Sequence, residues 1–204
     1  MSTNSSIAIK KKSGEIDAIY SHWDGYIEHN GAILYKYYKN VNKVKKLISR
    51  GNVSSLDINV DPPKGRENKH TYRNPIKGVT IFQKRELQHG DEANHRTYDS
   101  IERYMEFECQ GYDYLFDETS NEWLVSIDGD YNNYEFIPLK YSFLIITLFD
   151  YNYNDSLIDL FNDVDIIEND TIIIYKLNSI LLDLGKNEIT KDEINSLSIY
   201  FKLE

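Results

Sequence analysis

His22, Asp24, Glu28 and His29 fall within one short stretch, Ala18-Ile-Tyr-Ser-His-Trp-Asp-Gly-Tyr-Ile-Glu-His-Asn-Gly31. Two imidazoles and two carboxylates are ligand types that bind zinc or manganese. With Trp23 and Tyr26 they make a candidate ligand-binding set of six residues: His22, Trp23, Asp24, Tyr26, Glu28 and His29. Metal is a poor fit, because structural zinc spacings rely on cysteine, this chain has one, Cys109, and an HExxH helix motif is absent. No metal and no cofactor are therefore assigned. In an extended segment His22 and Asp24 would project to the same side. One reading makes this rim a binding or catalytic pocket. The plainer one has His22 and Asp24 hydrogen-bonding locally to hold a strand-to-helix turn, with Trp23 in the core.

Other chemistry is weaker. Segments starting at Asp57, Asp128 and Asp150 imitate a calcium loop. Their sixth positions are Pro62, Asn133 and Asp155, and their twelfth are Asn68, Leu139 and Phe161, where the loop needs Gly and Glu. They read as Asp/Asn turns. Cys109 lies between Glu106, Glu108 and Gln110, and neighbouring carboxylates disfavour a thiolate, so packing is its expected role. No Walker loop, GxGxxG or GxSxG is present. No catalytic residue is assigned, and nothing points to a particular reaction.

The elements that must position the candidate set begin with two strands, Ser5 to Lys11 and Ile16 to Trp23, joined at Ser13-Gly14 as a hairpin. Asn30 is placed to cap the next helix, with Gly31 loosening its first turn. Ile33, Leu34, Tyr37, Tyr38 and Val41, then Val44, Leu47 and Ile48, follow helical spacing up to Gly51. This is one bent helix or two short ones, since Asn40 offers a second cap. Residues 57–76 hold three of the four prolines and read as a long loop. Gly78 to Lys84 reads as a strand and Gln88 to Arg96 as a polar loop. Ser100 to Phe107 reads as a helix with Ile101, Tyr104, Met105 and Phe107 inward. Tyr112 to Phe116 and Glu122 to Ile127, linked by Asp117–Asn121, form a second hairpin. Tyr134 to Leu139 adds an edge strand.

The fold class expected is α+β: a mainly antiparallel sheet with two or three helices packed on one face, and a largely helical C-terminal subdomain. The boundary falls near Lys140, giving a 1–140 domain and an acidic 141–204 extension that contains a capping box at Thr190–Glu193.

The net charge of −10 is uneven. Residues 1–75 carry 13 Lys/Arg and 7 Asp/Glu, and residues 76–204 carry 10 and 26. Direct nucleic-acid binding by the whole chain is not expected, because phosphate binding needs a positive local field. No run reaches membrane-span length, and the start lacks the long apolar core of a signal peptide, so the expectation is a cytoplasmic protein. The seventeen tyrosines suit half-buried sheets or interfaces.

Tyr20 with His22-Trp23-Asp24-Gly25-Tyr26, then Leu47-Ile48 with Gly51, Ser54 to Leu56, Tyr112 to Phe116 and Glu122-Trp123 form a pattern. Over about residues 1–130 it resembles a family of small uncharacterised proteins encoded by bacteriophages and other mobile elements, marked by a Tyr-x-His-Trp-Asp-Gly-Tyr signature. Asn4 stands where an arginine is common, and the tail from about 140 is an extension. The resemblance implies a phage or mobile-element accessory protein that binds and inhibits a host protein, a defence nuclease being one class, through an acidic, Tyr-rich surface in the host cytoplasm. The alternatives are a small-ligand or nucleotide-binding protein or enzyme using a pocket at His22–His29, and a structural or assembly protein.

Overall fold

The sheet is built outward from β1 (Ser5–Lys10) in a computed structural model that describes residues 3–83, 95–126 and 136–140, with single positions 132, 134, 142, 178 and 190. β2 (Ile16–Ser21) returns antiparallel along β1, in register from Ser5↔Ser21 to Lys10↔Ile16. The turn between them closes where Gly14, at a φ of +95°, donates its N–H to the Lys11 carbonyl. Only glycine adopts that backbone without strain.

The other edge of β1 is taken by β6 (Asp113–Asp117), in parallel, from Ser6↔Asp113 to Lys10↔Asp117. β7 (Glu122–Ser126) folds back on β6, and β8 (Ile137–Pro138) extends it. The free edge of β2 is divided. β5 (Arg96–Tyr98) pairs antiparallel with Ile16–Ala18, while β3 (Val53–Ser55) pairs in parallel at Ser21, and β4 (Ile81–Phe82) pairs with β3. The result is an α+β fold on a mixed, mainly antiparallel sheet of eight strands.

Alternation along β1 separates two faces. Ser5, Ile7 and Ile9 share a face with Ser21, Tyr114, Phe116 and Trp123 through the strand registers. α1 (Ala32–Tyr37) covers this face, since Trp123 Nε1 donates to the Tyr38 carbonyl at its C-terminus, at 2.9 Å. Ser6, Ala8, Ile16, Ala18 and Leu115 face the other way and pack against Tyr104 and Met105 of α3 (Ile101–Glu108). The helices therefore lie on both faces, not one. β1 accordingly is buried from Ser5 to Ile9, as strands covered on both sides are.

The basic helical stretch is two helices. α2 (Val41–Ser49) starts at Asn40, whose side chain accepts from Asn42 N, buries Val44, Leu47 and Ile48, and ends before Gly51 at a φ of +86°. Its cations are not all solvated. Lys43 Nζ donates to the Tyr37 and Ile58 carbonyls and lies 4.3 Å from the centre of the Tyr38 ring. Desolvation there lowers its pKa.

Other differences are local. In α3, Glu108 is buried and Phe107 is 59% exposed, because the helix turns its apolar stripe one position away from Phe107. Of the strand expected over Gly78–Lys84, the described residues show Ile81–Phe82, and Val79 instead bridges Asn59. Of the strand expected over Tyr134–Leu139, the described residues show Ile137–Pro138. Tyr38, Tyr104 and Tyr114 are fully buried core residues with hydroxyls bonded inside the fold.

The chain divides into two compact units, Met1–Leu139 and a second from Lys140. The helical elements expected after 141, the turn at Asp128-Gly129 and most of the Gln88–Arg96 loop lie outside the described residues. Among the described residues no helix is long and apolar enough to cross a membrane.

Candidate functional site

Beyond Ser21 the backbone of β2 stays attached to β3: His22 N donates to the Val53 carbonyl and Trp23 N to Ser54, each at 3.0 Å. The extended run then breaks at Asp24, which takes a φ of +56°. Asp/Asn residues tolerate this left-handed region better than most. His22 and Asp24 are thus not set on one side of an extended strand. Gly25 follows, its N–H donating to Thr3 O at 2.7 Å and its carbonyl accepting from the buried Tyr114 hydroxyl at 2.8 Å. The chain closes into a π-helical turn, Ile27–Gly31, that leads into α1.

Asn30 is the centre of this corner. It is completely buried, and its amide nitrogen faces Ser5 Oγ at 3.2 Å, Ser21 Oγ at 3.1 Å and the Trp23 carbonyl at 3.4 Å. It is not a helix cap: α1 has no side-chain cap. It ties together the two strands of the first hairpin and the start of the corner. Gly31 does not loosen a helix. A Cβ there would come within 3.2 Å of the Tyr114 hydroxyl.

The six candidate residues divide around that core. His22 Nδ1 is 3.0 Å from the Tyr20 hydroxyl, and its ring meets Trp23 edge-on at 4.6 Å. Trp23 is 39% exposed, so it is a surface residue and not a core anchor. Its backbone is held by β3 while its side chain stands outside the sheet's two packed faces. His29 Nδ1 is 3.1 Å from Asn30 Oδ1, and its ring lies 6.0 Å from that of Tyr26. Glu28 Oε2 is buried without a hydrogen-bond partner among the described residues. Desolvation and then the Asp24 and Glu28 carboxylates raise the pKa of Tyr26, and desolvation and then Glu28 raise that of Tyr112. Among the described residues no three His, Cys, Asp or Glu side chains converge as a metal site. The corner offers an exposed aromatic with the His22 imidazole edge-on against it, a second imidazole, His29, bonded to Asn30, and a buried carboxylate oxygen.

A second polar group lies on the opposite face of β1 and is built from residues far apart in sequence. Ser6 Oγ donates to Asp113 Oδ1 at 2.5 Å and also bonds the Tyr104 hydroxyl. Both Asp113 oxygens accept from Gln110 N, at 3.0 and 3.1 Å. Burial is the main cause that raises the Asp113 pKa to about 7, and Glu108 adds to it; Ser6, Gln110 and Cys109 oppose it by hydrogen bonding. Beside it, Glu108 accepts from Arg96 at 2.9 Å and from the Tyr98 hydroxyl at 2.5 Å. Burial, then Glu108, raises Tyr98 to about 12. Sequence reading missed this group. Its one signal is a carboxylate inside the apolar strand Tyr-Asp-Tyr-Leu-Phe. Ser6, Tyr104 and Asp113 are completely buried between strand and helix, while Arg96 at the edge of the group is exposed.

The imitation calcium loop at Asp57 is a turn. Asp57 accepts from Ile58 N at 2.7 Å and Gly78 N at 3.0 Å, while Asp61 pairs with Lys46 and Arg50. The segments at Asp128 and Asp150 fall outside the described residues. No family model, curated protein or solved structure matches this chain.

Proposed function

We propose that this chain is a bacteriophage or mobile-element accessory protein that binds a host protein in the cytoplasm and inhibits it, with defence nucleases as one class of target. The observation that carries the reading is Trp23, exposed on a corner whose backbone is fixed by β3, Thr3, Tyr114 and Asn30. A rigidly presented tryptophan loses little entropy on docking, and tryptophan is enriched among residues that dominate interface energies. The net charge of −10 suits a target with a basic substrate channel. Affinity capture from host lysate with mass spectrometry tests it. A partner retained by the native chain and lost with Trp23→Ala supports the reading. Identical capture by both chains, or no partner at all, removes it.

A second reading, a small-ligand site at the same corner, is favoured by Glu28 Oε2, a buried acceptor without a donor among the described residues. Such an acceptor suits a ligand that brings an N–H or ammonium group. A thermal shift with a nucleotide or amine panel that vanishes in Glu28→Gln and His22→Ala would favour it. No shift across the panel would remove it.

A further inference from the structure

The loop that joins β3 to β4 leaves and returns at one point. Asn59 bridges Val79, Asn59 N donates to the Gly78 carbonyl at 3.0 Å, and Thr80 N donates back to the Asn59 carbonyl at 2.8 Å. Between these clamps the chain makes a closed surface loop of the Ω kind. Its interior is held by His70, which is 2% exposed. His70 Nε2 donates to the Thr80 carbonyl at 3.1 Å, and Nδ1 accepts from Ile76 N at 2.9 Å. These two bonds fix the tautomer and pin the loop's middle to its root. Thr71 and Asn74 close a tight turn at the tip through reciprocal backbone bonds.

The side chains on this frame are unusual for an acidic protein. Lys64, Arg66, Lys69, Arg73 and Lys77 are all exposed, and Tyr72, between Lys69 and Arg73, is 54% exposed. Among the described residues none of these five cations has a carboxylate partner, whereas Lys10, Lys11, Lys45, Lys46 and Arg50 all do. The loop's own carboxylates are engaged elsewhere. Asp61 pairs with Lys46 and Arg50 of the α2 region. Glu67 turns onto Gly65 N at 2.9 Å, and backbone N–H groups hold its pKa low. Residues 62–78 carry five positive charges and one negative, a local balance of +4 within a chain of −10.

Exposed cations on either side of an exposed aromatic ring in the loop match the two demands of a single-stranded nucleic acid: charge for the phosphates and a flat face for a base. We infer that the 60–78 loop is a binding surface for single-stranded nucleic acid, with Lys64, Arg66, Lys69, Arg73 and Lys77 on the backbone and Tyr72 stacked on a base. An acidic protein face would satisfy the cations too; a single strand matches the ring face as well, stacking a base on it beside a charged backbone, and the test below separates the two occupants. The whole-chain charge argues against nucleic acid only where the field is negative, and here it is locally positive. The acidic remainder confines the contact to the loop.

Fluorescence anisotropy with a labelled oligothymidylate of about 15 nucleotides, titrated with the full chain, tests the assignment. Affinity should fall with salt at a slope of about −0.7 per phosphate contacted, reaching about −3.5 if all five cations engage. The double variant Lys69→Glu/Arg73→Glu should weaken binding at least about tenfold and flatten the slope, while Lys12→Glu, an exposed lysine elsewhere, should leave it unchanged. Tyr72→Ala should weaken binding about 5- to 100-fold with the slope intact. All these side chains are exposed, and an unchanged thermal midpoint confirms each variant is folded. No binding at roughly 50 mM salt overturns the inference. So does indifference to the double reversal. Displacement of the oligonucleotide by polyglutamate at equal charge concentration also overturns it, and assigns the loop to an acidic protein instead.

Discussion

Gly25 lies so close to Asn4 that a Cβ on Gly25 would stand 2.5 Å from both the carbonyl carbon and the carbonyl oxygen of Asn4. The obstacle is backbone and cannot rotate away. Gly25→Ala should therefore lose about 3 kcal/mol, the upper end for overpacking, and lower the thermal midpoint by several degrees. Gly65→Ala is a less damaging comparison: it has open space and only an unfavourable φ of +82°. Equal midpoints for the two variants would remove the close-approach account of the corner.

Asn30 holds the corner by side-chain bonds to two strand hydroxyls and a carbonyl. Asn30→Ala leaves those buried oxygens without their donor and should cost about 2–3 kcal/mol in urea unfolding. Asn40→Ala removes an exposed cap and should cost about 1 kcal/mol. If Asn30 acted as a cap, the two losses would be equal.

The two tryptophans separate docking from packing. Trp123 is 6% exposed, meets Phe116 edge-on at 5.2 Å and donates to the Tyr38 carbonyl. Trp123→Ala should cost about 3–5 kcal/mol, the range for buried aromatics. Trp23→Ala should change stability by less than about 1 kcal/mol and act only on binding. Denaturation curves of the two variants, measured side by side, check this.

Asp113 makes stability fall as pH rises. Its folded pKa is about 7 and its ordinary value 3.8. Between those values the folded chain holds a proton that the unfolded chain has released, so stability declines with pH across that window. The stabilisation is full below about pH 4 and lost above about pH 7, a change on the order of 4 kcal/mol. Asp113→Asn should flatten the curve and leave the variant more stable than the native chain at pH 8. Urea midpoints from pH 4 to 8 measure it, and parallel curves for the two proteins would contradict it.

The hairpins and helices were legible where the signal is local. Asp117–Asn121 is a run of turn formers between β-prone arms, and β6 and β7 formed around it. The apolar spacing of Val44, Leu47 and Ile48 marked α2. β3 and β5 were missed because three-residue strands carry no period. Asn30 looked like a cap because its true partners, Ser5 and Ser21, are 25 and 9 residues away. Trp23 looked like a core residue because hydrophobicity alone does not say which way a positive φ at Asp24 turns the chain. The six candidate positions were found at one corner, but as separate pairings around Asn30. The Ser6–Tyr104–Asp113 group depends on a strand pairing that no local pattern announces.

The parallel pairing of β1 with β6 also sets an order of events during synthesis. Ser6 and Asp113 are 107 residues apart, so at ribosomal speed the second edge of β1 waits roughly 5–20 s for its neighbour. During that interval the first hairpin can form, but β1, the strand that ends buried from Ser5 to Ile9, keeps an open row of backbone donors and acceptors. The nascent chain therefore emerges with a sticky edge, and shielding that edge until β6 arrives is a task for chaperones and not for the sequence that has already been made.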